Sequence, residues 1–415
     1  MTGAGGSASD EPRALEHVFA AGWATLLLML AVAVLWRWGG GVVSERGHEM
    51  TGASWPPRNR GTALLRASLT PRDVVPLLGT SELIRQRVNR PDEFFASRPT
   101  GFRVVAIGAA GMVLVEHALA IGAVSGEVRG RKVGVLLSPG EVTLPDTGNR
   151  QKWFSGNYSR SHAAAVFVDD AFPDSLARDI ARRLVKYKGL SIDPVIETLV
   201  RFKAADGLAA RAGAMALAPA ARLDAAWIAL VDRMEGAMAL RRYTPGKMLT
   251  PTPQVPLDWA RLDAVTRADY ALESNNNKYG FENAWWAQFK SFLDVPAKPE
   301  MDERHRVLIS TSPSWGELEL LVRAIRSVGA QPVLLPMPLA GTFLGDKGVR
   351  ADTRADYYDR LDAFARAHGV AMQDVRPHDL DRLYLHDQVS HLSSVGWLAV
   401  DRALDAFVHD SLAIR

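Results

Sequence analysis

The chain has 415 residues, of which 47% are hydrophobic and 23% charged, the balance of a globular protein. Lys and Arg number 49 against 46 Asp and Glu, and a net charge of +3 is too small to argue for a nucleic-acid partner. Zero cysteines exclude disulfides, thiol catalysis and Cys-ligated zinc, and the length allows two or three domains or one large α/β domain with insertions.

Residues 1–16 are small and polar, with Asp10, Glu11, Arg13 and Glu16, and read as a disordered N-terminus. Val18 to Trp36 is a run of 19 uncharged residues, long enough to cross a hydrocarbon core as a helix. Trp36, Arg37 and Trp38 gather at its end, where interfacial aromatics and a cation belong. Acids precede the run and Arg-Trp follows it, so residues 17–38 are expected to be an uncleaved transmembrane anchor. Arg13 before the run and Arg37 and Arg46 after it do not favour a cytoplasmic N-terminus. Residues 39–66, opening on three glycines, are expected to form a flexible stalk.

From residue 67 the pattern is that of an α/β domain running to residue 415. Val74 to Gly79 is an apolar, uncharged strand that ends in Gly-Thr-Ser-Glu, with a helix expected over Glu82–Gln86. Phe102–Gly108 is a second strand, running through Ala109-Ala110-Gly111 into a helix over Met112–Ala120. Lys132–Ser138 is a third, broken by Pro139. Residues 160–300 read as a mostly helical insertion, with helices over Ser175–Tyr187 and Ala214–Arg241 and a polar loop at Asn275–Gly280. The sheet pattern resumes with expected strands at Arg306–Ser310, Gln331–Leu335 and Val370–Val375. Ser314 and Glu317 have capping-box spacing before a helix over Leu318–Val328, and helices are expected over Ala351–His368 and Trp397–Leu412. Strands alternating with helices predict a parallel sheet with crossover connections.

Two stretches carry chemistry. Ser81 stands at a strand-to-helix turn, where its hydroxyl is held out of the sheet and its backbone N–H can stabilise an oxyanion. The bland alternative is that Ser81 merely caps a helix. Far downstream, His386 to Trp397 offers an acid and a histidine in one loop before the final helix, in the order Ser…Asp…His. An acyl-transfer site needs an imidazole to take the serine proton and a carboxylate to orient the imidazole. In an open α/β sheet such groups collect outside the carboxyl ends of the strands.

These stretches, in order, resemble the DltD family, membrane-anchored D-alanyl transfer proteins with an SGNH-hydrolase-like fold. The resemblance rests on the N-terminal anchor, Gly79-Thr80-Ser81-Glu82, Asp92-Glu93-Phe94-Phe95 and Gly108-Ala109-Ala110-Gly111. It continues through Ser138-Pro139, Trp153 to Ser159, Asn276-Asn277-Lys278-Tyr279-Gly280, Pro336-Met337-Pro338 and His391 to Trp397, covering nearly the whole chain. It implies Ser81 as nucleophile, His391 as base and Asp387 as orienting acid. It also implies Gly108 or Gly111 as a second oxyanion donor beside Ser81, and neither a metal nor a cofactor. The chain departs from the family in two ways: its acid and histidine are four residues apart instead of three, and no Gly-Gly-Ser-Gln stretch follows Gly108. It also lacks the Gly-x-Asn-Asp block with which standard SGNH enzymes add an Asn to the oxyanion hole. The implied activity is D-alanyl or other short-acyl transfer to a cell-envelope polysaccharide or glycolipid. The implied partners are a membrane-bound, DltB-like O-acyltransferase and an acylated carrier, with the catalytic domain on the outer side of the plasma membrane. A non-catalytic scaffold for the acyltransferase and an envelope carbohydrate O-acyl esterase are the alternatives.

Overall fold

The computed structural model describes residues 11–51, 61–84, 88–143, 148–169, 172–187, 193–243 and 255–410. Its centre is a five-stranded parallel sheet in the order β2-β1-β3-β4-β5: β1 Val74–Gly79, β2 Arg103–Gly108, β3 Lys132–Leu137, β4 Gln331–Pro336 and β5 Ala371–Met372. All six residues of β1 are buried, as its uncharged sequence requires of a central strand covered on both faces. Successive side chains alternate between two apolar layers. Leu78, Ile107, Val135 and Leu137 face one layer, roofed by helices Leu114–Ala123, Asp174–Leu184 and Ser314–Ser327. Leu77, Ala106, Leu136 and Leu335 face the other, closed by Phe94, Phe95 and the final helix Ser394–Val408. The expected α/β fold, with a parallel sheet, flanking helices and an N-terminal apolar helix, is the one observed.

The N-terminal helix runs unbroken from Glu11 to Arg46. Part of the segment expected to be disordered is therefore helical, and residues 1–10 lie outside the described residues. Val18, Trp23, Leu28 and Leu30 are exposed, and the helix is long and apolar enough to cross a membrane. The hydroxyl of Thr25 is satisfied within the helix by the Ala21 carbonyl at 2.8 Å. Residues 39–46 are helix and not stalk. Of the glycines there, Gly39 serves close packing: a Cβ on it would sit 3.3 Å from the Arg233 backbone of the insertion helix Leu208–Arg242. Arg233 lies over the Trp36 ring at 3.6 Å, joining the end of the apolar segment to the domain. The remainder of the expected stalk falls partly on 52–60, outside the described residues, and ends in the helix Thr62–Ser68.

Three other expectations are corrected. Arg306–Ser310 is not a strand but part of the helix Met301–Thr311, with Ile309 buried and Val307 exposed; the charged turn ahead of it lets one helix run through. Val370–Val375 contributes only Ala371–Met372 to the sheet, as an edge. The helix expected over Glu82–Gln86 is a single 3-10 turn, Ser81–Ile84, and residues 85–87 lie outside the described residues.

Candidate functional site

The site grows from the carboxyl ends of β1, β2 and β3. The chain leaves β1 for β2 on one side and returns to β3 on the other, so a crevice opens where the order reverses. Gly79 and Gly108, the last residues of β1 and β2, are paired. A Cβ on Gly108 would meet the Gly79 carbonyl oxygen at 1.9 Å, so this contact admits only glycine. Beyond Gly79 the turn is clamped by Glu82, whose carboxylate accepts from the Thr80 N–H (2.5 Å) and the Thr80 hydroxyl (2.8 Å). Glu82 thus fixes the turn that presents Ser81; the sequence pattern suggested only a helix-start acid.

Ser81 Oγ lies 2.8 Å from His391 Nε2, across 310 residues of chain. His391 Nδ1 lies 2.5 Å from Asp387 Oδ2. An Nδ1–H donated to the carboxylate leaves Nε2 free to accept the serine proton, the arrangement a general base requires. The other Asp387 oxygen accepts from the backbone N–H of Val389 (3.1 Å) and of His391 (3.0 Å). The loop therefore wraps its own acid. Ser390 takes the left-handed conformation at φ 68°, and the His386 N–H donates to the His391 carbonyl at 2.9 Å. One residue in that strained region, at about 1 kcal/mol, is how a four-residue spacing still brings the carboxylate to Nδ1.

Sequence reasoning left His386 and Glu282 without roles. His386 is buried, with Nε2 3.2 Å from Asp387 Oδ2 and Nδ1 3.2 Å from Glu282 Oε2. Trp285 packs edge-on against its ring and donates from Nε1 to Gln388 at 2.9 Å. The polar chain thus runs Glu282, His386, Asp387, His391, Ser81. Burial alone would raise the Asp387 carboxyl. The hydrogen bonds from His386 and His391 outweigh it and hold the group well below the usual carboxylate range. His386, Asp387 and His391 also offer three potential metal-ligand atoms within 4.8 Å of one another. Those atoms already serve the hydrogen-bonded chain, and a bound cation would compete with the imidazole's task.

Ser81 and His391 open on a cavity of about 950 Å³. Of the two expected oxyanion glycines, Gly111 reaches its wall and Gly108 does not, being held in the sheet. Gly111 sits at φ 72°, where a Cβ would strike the Trp153 ring at 2.6 Å. The Asn157 side chain donates to the Ala110 carbonyl at 2.9 Å, so the Trp153–Ser159 stretch braces this turn. Ser138, Pro139 and Glu141, following β3, form the facing wall. Beneath them Glu317, fully buried, accepts from Arg150 (2.9 Å), Arg183 (2.6 Å) and the Tyr187 hydroxyl (2.6 Å). The capping-box reading of Glu317 is therefore wrong: its carboxylate turns into an ion cluster, while Ser314 Oγ donates to the Glu141 carbonyl at 2.5 Å.

Comparison with known proteins adds a family. A family model described as "DltD protein" matches residues 56–409. "Protein DltD" of Bacillus subtilis (strain 168) is 23% identical over 386 residues, covering 92% of this chain and 95% of its own. "Protein DltD" of Staphylococcus aureus (strain NCTC 8325 / PS 47) is 19% identical over 368 residues, covering 88% and 89%.

Proposed function

Because this chain belongs to the DltD family, whose members are involved in D-alanylation of cell-envelope polymers, we propose that it carries out the acyl transfer itself, through Ser81, His391 and Asp387. The observation that carries this reading is the hydrogen-bonded line from Asp387 through His391 to Ser81, ending on an open cavity. In the first step Ser81 Oγ attacks the acyl carbonyl of an activated donor, and its proton passes to His391 Nε2. The backbone N–H groups of Ser81 and Gly111 receive the developing oxyanion. Collapse expels the donor's leaving group, which takes the proton from His391, and leaves the acyl group esterified to Ser81. A hydroxyl of the acceptor polymer then gives its proton to His391 and attacks the ester, regenerating Ser81. Asp387 remains ionised throughout and stabilises the imidazolium.

The apolar helix anchors this site beside a bilayer, with the domain on the outer side, where a membrane-bound O-acyltransferase delivers the acyl group. The test is complementation of a strain lacking its own protein of this family. Wild-type chain restores ester-linked D-alanine on the envelope; Ser81→Ala at equal abundance does not, and restoration by Ser81→Ala would leave only a scaffold role. A C-terminal alkaline phosphatase fusion is expected to be active; an inactive, stable fusion would reverse the orientation.

A further inference from the structure

Glu141 lies in the short helix Pro139–Thr143 directly after β3 and lines the cavity that holds Ser81 and His391. Its stem is partly exposed, but both carboxyl oxygens are buried, and among the described residues neither meets a donor in hydrogen-bond geometry. The Ser138 N–H comes close enough to moderate its charge without bonding it well. The nearest guanidinium, Arg150, is engaged by Glu317, by Tyr187 and by Glu141's own backbone carbonyl at 3.3 Å. Glu82 and Glu317 add negative potential from behind.

Among the described lining residues Glu141 is the one acid. Arg304 is exposed, and His305 donates from Nδ1 to the Met301 carbonyl (2.9 Å), where burial pushes its proton affinity down. Burying a carboxyl with no partner is costly, and packing alone would be served by a neutral side chain. Burial and the neighbouring acids push this carboxyl well above its ordinary range while it lacks a partner. A small cation with N–H donors supplies what is missing once the side chain, whose residue already lines the cavity, turns its carboxyl toward it.

We propose that Glu141 receives the ammonium group of an aminoacyl unit held at Ser81, and so selects α-amino acyl groups over plain acyl groups. This rests on the reading of Ser81 as the acyl-carrying residue and names the feature of the acyl group that the site recognises. No covalent step is added. The ammonium docks on the carboxylate while the carbonyl carbon lies at Ser81 Oγ.

The experiment compares D-alanyl and propionyl thioesters of one thiol, which differ only in the amino group, on the full-length protein in detergent. Wild-type protein is expected to show at least about tenfold higher kcat/KM for the D-alanyl donor, and Glu141→Gln to lose most of that preference. An unchanged ratio in a folded Glu141→Gln protein, or no preference in wild type, overturns the proposal. Binding of D-alaninamide against propionamide to Ser81→Ala protein, read by calorimetry, separates the two claims. Tighter binding of D-alaninamide, abolished by adding Glu141→Gln, supports the ammonium site even if Ser81 turns over neither thioester. Equal binding of the two amides overturns it.

Discussion

Two walls of one cavity each bury a carboxyl group, and they treat it in opposite ways. In the C-terminal loop, Asp387 accepts from two histidines and two backbone N–H groups, and is held ionised despite full burial. After β3, Glu141 accepts no well-formed hydrogen bond, and burial drives it toward the neutral form. Depth is similar; satisfaction differs. A carboxylate whose lone pairs are filled by the protein can only orient what it already touches, here His391. One left unfilled at a cavity wall retains its capacity for something that arrives. Glu317, a short way behind, shows the first treatment again with two arginines and a tyrosine, and no access to ligand.

The largest break in this comparison comes from Ser81 and His391, the groups proposed to react, with Asp387 hydrogen-bonded behind them. Ser81→Ala and His391→Ala are each expected to lower acyl transfer by about 10⁴-fold or more without shifting Tm, and the double variant to be little worse than either. Steady-state rates with a D-alanyl thioester, beside a thermal melt, check this. Glu317→Ala leaves Arg150 and Arg183 buried without their shared partner. It should cost about 3–5 kcal/mol in chemical denaturation, because breaking a buried ion cluster strands its remaining charges. Asp387→Asn should lower kcat by about 10²–10⁴-fold, the loss of an anion that sets the histidine tautomer. The wild-type contribution of Asp387 to stability carries a sign that a pH series reads. Its folded proton affinity is depressed, so the stabilisation is present above about pH 4 and fades as pH falls further.

Glu141 carries the reverse sign. Its folded proton affinity is raised, so at neutral pH the group opposes folding, and the cost fades as the pH falls toward the ordinary carboxylate range. Glu141→Gln is therefore expected to raise Tm at pH 7 by about 1–3 °C, with the gap closing near pH 4. A Tm lowered at neutral pH would mean that the carboxyl has a partner after all. The smallest effect belongs to His386→Gln, which keeps the Asp387 bond but loosens the link to Glu282. A three- to tenfold loss in kcat is expected there, about 1 kcal/mol of misorientation.

Legibility in the sequence followed the reach of the signal. β1 and β3 were readable because uncharged apolar runs ending in Gly or Ser-Pro have few other uses. Ser81, Asp387 and His391 were readable because their residue types, in that order, ask for one another. Arg306–Ser310 misled because its apolar centre Val307-Leu308-Ile309 looks like a strand when the charged turn before it is ignored. The Gly39-Gly40-Gly41 run misled because glycines read as a flexible link in isolation, whereas here they continue a helix and Gly39 lets the Arg233 backbone come close. Glu282 and Glu317 carry their roles through partners 100 or more residues away, and His386, though it bonds its neighbour Asp387, is held on its other nitrogen by the distant Glu282; no local pattern encodes those contacts. The Glu317 case is instructive, since its spacing from Ser314 mimics a cap while its carboxylate faces the other way.

The central claim is that Ser81 is an activated nucleophile, and it is tested most directly by trapping. Full-length protein exposed to a serine-reactive fluorophosphonate is expected to gain one adduct by intact mass, mapped by peptide sequencing to Ser81. Labelling is expected to be lost in His391→Ala and to slow in Asp387→Asn. A folded wild-type protein that gains no adduct at Ser81, or labels there equally fast without His391, would contradict the account.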